Sequence, residues 1–165
     1  MFNYYKMHKD YLYNTLLSLS RNIFFYKKIN LKDTFETRIY LMFIHFSLIL
    51  IVFKKKSKNF DQSLYDRFFH NIEYNLRELG LGDVTVNKKM KELNKVLYDI
   101  LLKIMPDTDK SSNLNYKLIS KYFGEFKSQE SIIYKEFEGY FLNFYNYCFE
   151  QSLDNMLKDV INFKN

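Results

Sequence analysis

The chain has 165 residues, 47% of them hydrophobic, and carries 25 Lys or Arg against 19 Asp or Glu for a formal net charge of +6. That length suits one domain with a sizeable core, and the apolar share excludes a disordered chain. Four glycines and one proline are too few for a β-protein, which needs turn residues about every 8–12 positions.

The expectation is therefore an all-α, single-domain bundle of about six to eight helices spanning residues 1–165. The basic balance permits an acidic partner such as RNA or an anionic membrane, although Lys-rich solvated helix faces are a commoner cause. Tyr and Phe are abundant and Trp is absent, a pattern that nucleotide bias also produces, so aromatic richness assigns no function. One cysteine, Cys148, excludes an internal disulfide and a cysteine-based zinc site and points to a reducing compartment. The opening Met-Phe-Asn-Tyr-Tyr-Lys-Met-His lacks a signal peptide's apolar run and a transit peptide's Arg/Ser richness. The expected location is cytoplasmic, with peripheral contact at an inner membrane left open.

In chain order, residues 7–28 read as one helix or two short ones, with Ser20 placed to cap the second piece and Lys27 and Lys28 at its C-terminal dipole. Phe24-Phe25-Tyr26 reads as a core or interface anchor. Asp33-Thr34-Phe35-Glu36 has capping-box spacing, with Asp33 in the capping role. The most apolar stretch follows at 39–53, interrupted by His45 and Ser47. A membrane span needs roughly 18–20 apolar residues, so this run is expected to be a buried central helix over about 34–54. Lys54, Lys55, Lys56 and Lys58 then form a basic linker, either solvated or in contact with RNA or lipid.

Phe60, Leu64, Phe68, Ile72, Leu76 and Leu79 form one apolar stripe, and Val86, Met90, Leu93, Leu97, Leu101 and Ile104 form another. Between them lies Gly80-Leu81-Gly82-Asp83, a helix–elbow–helix. Gly80 suits a positive φ at the helix end, and the Asp83 carboxylate suits the next N-terminus. Lys88, Lys89, Lys91 and Lys95 form a second basic cluster, with only Glu92 opposing it. Pro106 ends that helix, residues 107–115 read as a polar loop, and 114–123 and 129–163 read as two or three more helices. Ile133, Phe137, Tyr140, Phe141, Phe144, Tyr145, Cys148 and Phe149 share helical spacing there, with Gly139 as a soft spot.

Leu-Arg-Glu-Leu-Gly-Leu-Gly-Asp-Val-Thr-Val-Asn-Lys-Lys-Met-Lys, residues 76–91, resembles the signature of the ubiquinol–cytochrome c chaperone family, assembly factors for cytochrome b of respiratory complex III. Asp33-Thr34-Phe35-Glu36 with Arg38 and His45, and Asp66 with Phe69, resemble the family too. The resemblance covers about 11–105 and is weak over the C-terminal helices at about 112–163. It implies a chaperone domain that binds nascent cytochrome b, acting in the mitochondrial relatives with a small helical partner protein near the ribosome exit. Arg77, Glu78, Gly80, Gly82, Asp83 and Val86 would then shape the elbow, while Lys88, Lys89, Lys91, Lys95, Lys54, Lys55 and Lys56 would meet the partner. Arg38 is expected to pair with Asp66 or Glu78, His70 with Asp66, and His45 to be a hydrogen-bonded core histidine.

No nucleophile elbow, Walker loop, HExxH or dinucleotide-binding glycine loop is present, and the Gly80-x-Gly82 pair lacks the strand that a Rossmann fingerprint requires. No catalytic residue, metal or cofactor is expected, the chain reads as non-enzymatic, and DNA is not an expected partner. The alternative is a basic helical RNA- or ribosome-binding module without a cytochrome client. An enzyme would need a pocket with perturbed carboxylates.

Overall fold

A computed structural model describes residues 11–106 and 113–165. Among them every regular element is helical: α1 (Tyr11–Ser20), a π-helical turn (Phe24–Lys28), α2 (Phe35–Lys55), α3 (Gln62–Glu78), α4 (Asp83–Lys103), α5 (Tyr116–Tyr122), α6 (Ile132–Glu150), α7 (Leu153–Asp159) and a closing 3-10 turn (Val160–Asn162).

The hub is α2, against which α1, α4 and α6 all pack. Every residue from 41 to 49 is buried, as an all-round apolar helix requires when other helices surround it. With 21 residues the helix is long and apolar enough to cross a bilayer. The short apolar run at 39–53 understated it, because Phe35–Arg38 and Lys54–Lys55 extend the helix at both ends. Burial by its neighbours, not length, makes it the core.

Its start differs from the capping box read in the sequence. Thr34 is the N-cap, and its hydroxyl accepts from the Thr37 amide at 3.1 Å. Asp33, one residue earlier, instead takes the Arg38 guanidinium with two hydrogen bonds, 2.7 and 2.9 Å. Its end is closed by Ser57 at φ +54. The Lys58 amide donates to the Phe53 carbonyl and the Ser57 amide to the Lys54 carbonyl, both at 3.0 Å, which is a Schellman closure built on a non-glycine residue.

Aromatic side chains pack the π-helical turn against α6 and α3 against α2. Phe25, from the π-helical turn, meets Tyr140 at 4.7 Å and Phe141 at 5.7 Å between ring centroids, while Phe43 and Phe46 on α2 meet Phe68 on α3. Asn22, not Ser20, caps the turn, its side-chain oxygen accepting from the Phe24 amide at 3.0 Å. Ser20 ends α1 and donates back to the Leu17 carbonyl. Glu138 on α6 is buried, and its carboxylate is satisfied by the Leu114 amide at 3.0 Å and the Tyr134 hydroxyl at 3.2 Å. Most of the loop expected at 107–115 lies outside the described residues.

Three stripe assignments shift. Leu79 is 63% exposed and lies beyond the end of α3, so the stripe closes at Leu76. In α4 the buried residue is Ile100, with Leu101 beside it half-buried. In α6 Ile133 and Phe149 are exposed, leaving Tyr134, Phe137, Tyr140, Phe141, Phe144 and Cys148 as the inward face.

Candidate functional site

The elbow between α3 and α4 gives its two glycines different tasks. Gly80 adopts φ +87, and its amide donates to the Arg77 carbonyl at 3.0 Å, a left-handed position that favours glycine. Gly82 is the N-cap of α4 with φ −73 and ψ 164, and a Cβ built there meets nothing within 4 Å. Its geometry admits other residues. Asp83 is the first residue of α4, and its carboxylate turns back to receive Arg77, which also donates to Glu73 at 3.1 Å. Arg77 therefore ties the last turn of α3 to the first turn of α4, and those hydrogen bonds, to Asp83 first, raise its pKa further. Such an exposed clamp contributes little to stability but fixes geometry. Val86 is fully buried one turn on. Glu78 is exposed and joins no ion pair among the described residues. Leu79 and Leu81 stand out of the elbow into solvent, 63% and 37% exposed.

The two basic clusters divide in the same way. Lys89 is half-buried and reaches Glu36 on α2 at 3.6 Å, so it joins two helices. Lys88, Lys91 and Lys95 are exposed, with no ion pair or hydrogen bond among the described residues. At the other cluster, Lys54 and Lys55 belong to the last turn of α2 and Lys56 is its C-cap, so only Lys58 is in the linker. Lys56 Nζ donates to the Gln151 carbonyl at 2.7 Å and lies over the Phe149 ring at 5.2 Å. Lys55 lies over Tyr145 at 5.5 Å, and Lys58 pairs with Asp154 at 3.2 Å. These contacts fasten the end of α2 to α6 and α7. Lys54 is left at the rim of an open hollow of about 370 Å³ lined by Leu50, Phe53 and Phe60.

The expected pairings of Arg38 and His70 are corrected. Arg38 pairs with Asp33 beside it, because one turn of helix brings the two side chains together without crossing the bundle. The paired guanidinium holds the Asp33 carboxyl below its usual range. Asp66 accepts from Gln62 Nε2 at 2.9 Å, and His70 is exposed and not joined to it.

His45 is enclosed on all sides. Its Nδ1 lies 2.7 Å from the Leu41 carbonyl and its Nε2 lies 3.0 Å from the Tyr140 hydroxyl. A carbonyl only accepts, so Nδ1 carries the proton and Nε2 accepts from Tyr140. Burial lowers the His45 pKa from 6.5 to about 3. Phe141 and Phe144 close the ring in at 4.8 Å.

One cluster was missed by sequence reading. Asp99 on α4 collects Lys103 at 2.5 Å, Lys121 at 2.8 Å and the Tyr122 hydroxyl at 2.5 Å, which hold its carboxyl well below the usual range. The Asp99–Lys103 spacing was a visible signal, but the Lys121 and Tyr122 contacts depend on how α5 returns against α4.

Two titratable groups in the core are held neutral at neutral pH. Burial pushes the Cys148 thiol up to about 12 and holds His45 neutral with both nitrogens engaged. No group of three or more His, Cys, Asp or Glu side chains that could hold a metal occurs among the described residues. The arrangement is suited to binding: a clamped elbow with exposed leucines, and a lysine-bearing helix behind it. No curated protein and no solved structure matches the chain. The model of one family, ubiquinol-cytochrome C chaperone, matches residues 27–130, starting later than the resemblance read over 11–105 and running on through α5.

Proposed function

The chain belongs to the ubiquinol-cytochrome C chaperone family, and on that footing we propose that it binds newly synthesised cytochrome b and promotes assembly of respiratory complex III without catalysing a reaction. The observation that carries this reading is the elbow, which lies inside the matched residues and presents Leu79 and Leu81 to solvent on a turn held by Gly80 and the Arg77–Asp83 clamp. Apolar side chains held in place at the surface suit a client whose own surface is apolar before assembly. The proposed place of work is the cytoplasmic side of the inner membrane, with the ribosome exit region and a small helical partner protein as further proposed contacts.

Co-purification from the native cell tests the reading. Tagged protein should bring down cytochrome b, and a Leu79→Ser/Leu81→Ser variant with an unchanged melting curve should bring down several-fold less. Deleting the gene should deplete assembled complex III and leave other respiratory complexes intact. Normal cytochrome b levels in the deletion strain, or ribosomal proteins recovered without cytochrome b, would refute the proposal.

A further inference from the structure

The outer face of α4 carries a pattern that the client reading does not use. Val84, Lys88, Lys91, Lys95, Tyr98 and Leu102 follow one another at spacings of four, three, four, three and four residues, which puts them in one line along a helix. All six are exposed, Val84 by 84%, Tyr98 by 54% and Leu102 by 75%. At ~1.5 Å per residue the line is about 27 Å long, with cations in the middle and apolar side chains at both ends.

The neighbouring acids are drawn away from this face. Asp83 is taken by Arg77 at the elbow, and Asp99 by Lys103, Lys121 and Tyr122 behind the helix. Glu92, exposed on the flank, is the acid of α4 left without a described partner. The three lysines keep their positive charge unopposed by ion pairs. The face thus concentrates positive potential between two apolar ends.

We propose that this line docks the protein on a membrane surface that carries acidic phospholipid. Lys88, Lys91 and Lys95 meet the lipid phosphates, Val84 and Leu102 enter the boundary between headgroups and acyl chains, and the Tyr98 ring sits at interface depth with its hydroxyl in water. An RNA backbone would use the lysines but would leave Val84 and Leu102 in water. A lipid surface uses both sets, and this selects it over RNA. The proposal stands apart from the cytochrome b reading, because it needs neither client nor partner.

The test is sedimentation of the purified full chain with vesicles. Wild-type protein should pellet with vesicles of phosphatidylcholine containing about one third phosphatidylglycerol and stay in the supernatant with phosphatidylcholine alone. Lys88→Gln/Lys91→Gln/Lys95→Gln should weaken partitioning about 100-fold, taking each lysine near an acidic surface as roughly fivefold. Val84→Ser/Leu102→Ser keeps every charge and should still weaken vesicle binding several-fold, while leaving any binding to single-stranded RNA unchanged. Because all five substituted side chains are exposed, melting curves should match wild type, and a variant that melts early is replaced by its single substitutions. Failure of wild type to pellet with the acidic vesicles overturns the proposal. So does RNA binding without vesicle binding, or a serine variant that binds vesicles as wild type does.

Discussion

His45 shows how a single polar side chain is accommodated at the centre of an apolar core. Both ring nitrogens are engaged, by the Leu41 carbonyl and the Tyr140 hydroxyl, so the neutral ring costs little and the charged ring costs much. Its pKa is about 3 folded against 6.5 unfolded. Below pH 6.5 the unfolded chain takes up the proton and the folded chain does not. Stability contributed by the neutral ring is therefore full above pH 6.5 and falls as pH drops toward 3. Denaturant melts at pH 7 and pH 5 should differ by ~2 kcal/mol in wild type, at ~1.4 kcal/mol per pH unit below 6.5, and this difference should vanish in His45→Leu. An equal pH dependence in the variant would place its source elsewhere. The glycines give a second contrast. Gly80→Val meets the penalty of a β-branched residue at φ +87 and should lose about 1–3 kcal/mol in chemical melts, whereas Gly82→Ala should stay within ~0.5 kcal/mol.

Helix ends account for much of how the elements are placed. Thr34, Asp61, Asn115 and Ser131 each accept a backbone amide at the start of a helix, and removing one such acceptor costs about 1 kcal/mol. Thr34→Ala should lower stability by that amount and Asp33→Ala by less, because Asp33 serves Arg38 at the surface and not the helix end. Ser57 offers the opposite change. Its φ of +54 closes α2 in a left-handed conformation, so Ser57→Gly should raise stability by ~0.5–1 kcal/mol, measured as a shift in the denaturation midpoint. No gain would mean that the Ser57 side chain contributes more than its backbone strain costs. The elbow turns the apolar side chains of Leu79 and Leu81 outward. Leu79 continued the α3 stripe in the sequence, but Gly80 ends the helix in a turn that leaves Leu79 outside the packed face.

At the scale of the whole molecule, α2 is surrounded by neighbours from both halves of the chain. The family match ends at residue 130, yet Phe137, Tyr140, Phe141 and Phe144 on α6 complete the enclosure of Phe25 and His45. Each of those rings contributes about 1.5–3 kcal/mol of burial, and together they rival the ~5–15 kcal/mol stability of a domain. A fragment of residues 27–130 should consequently fail to fold cooperatively, shown by the absence of a sigmoidal melt. A cooperative fragment would mean that α6 is an addition to the core and not part of it. Lys56 on the Gln151 carbonyl and Lys89 on Glu36 add polar ties across the same packing.

Periodicity and composition by themselves determined the helical class, the buried central helix, the position of the elbow and the Gly80 turn. The helices and the elbow rest on interactions within a few residues of one another, which a local pattern records, and a run that is apolar all round marks a helix its neighbours must cover. The tertiary structure alone decided which charges are free. Lys56 and Lys89 read as members of two basic clusters in the sequence but are engaged by Gln151 and Glu36 from distant segments, and Asp99, which the sequence did not single out, is engaged by Lys121. It also decided that Leu79, Val84 and Leu102 face water, since a helical stripe states which residues share a side but not which side another helix will cover.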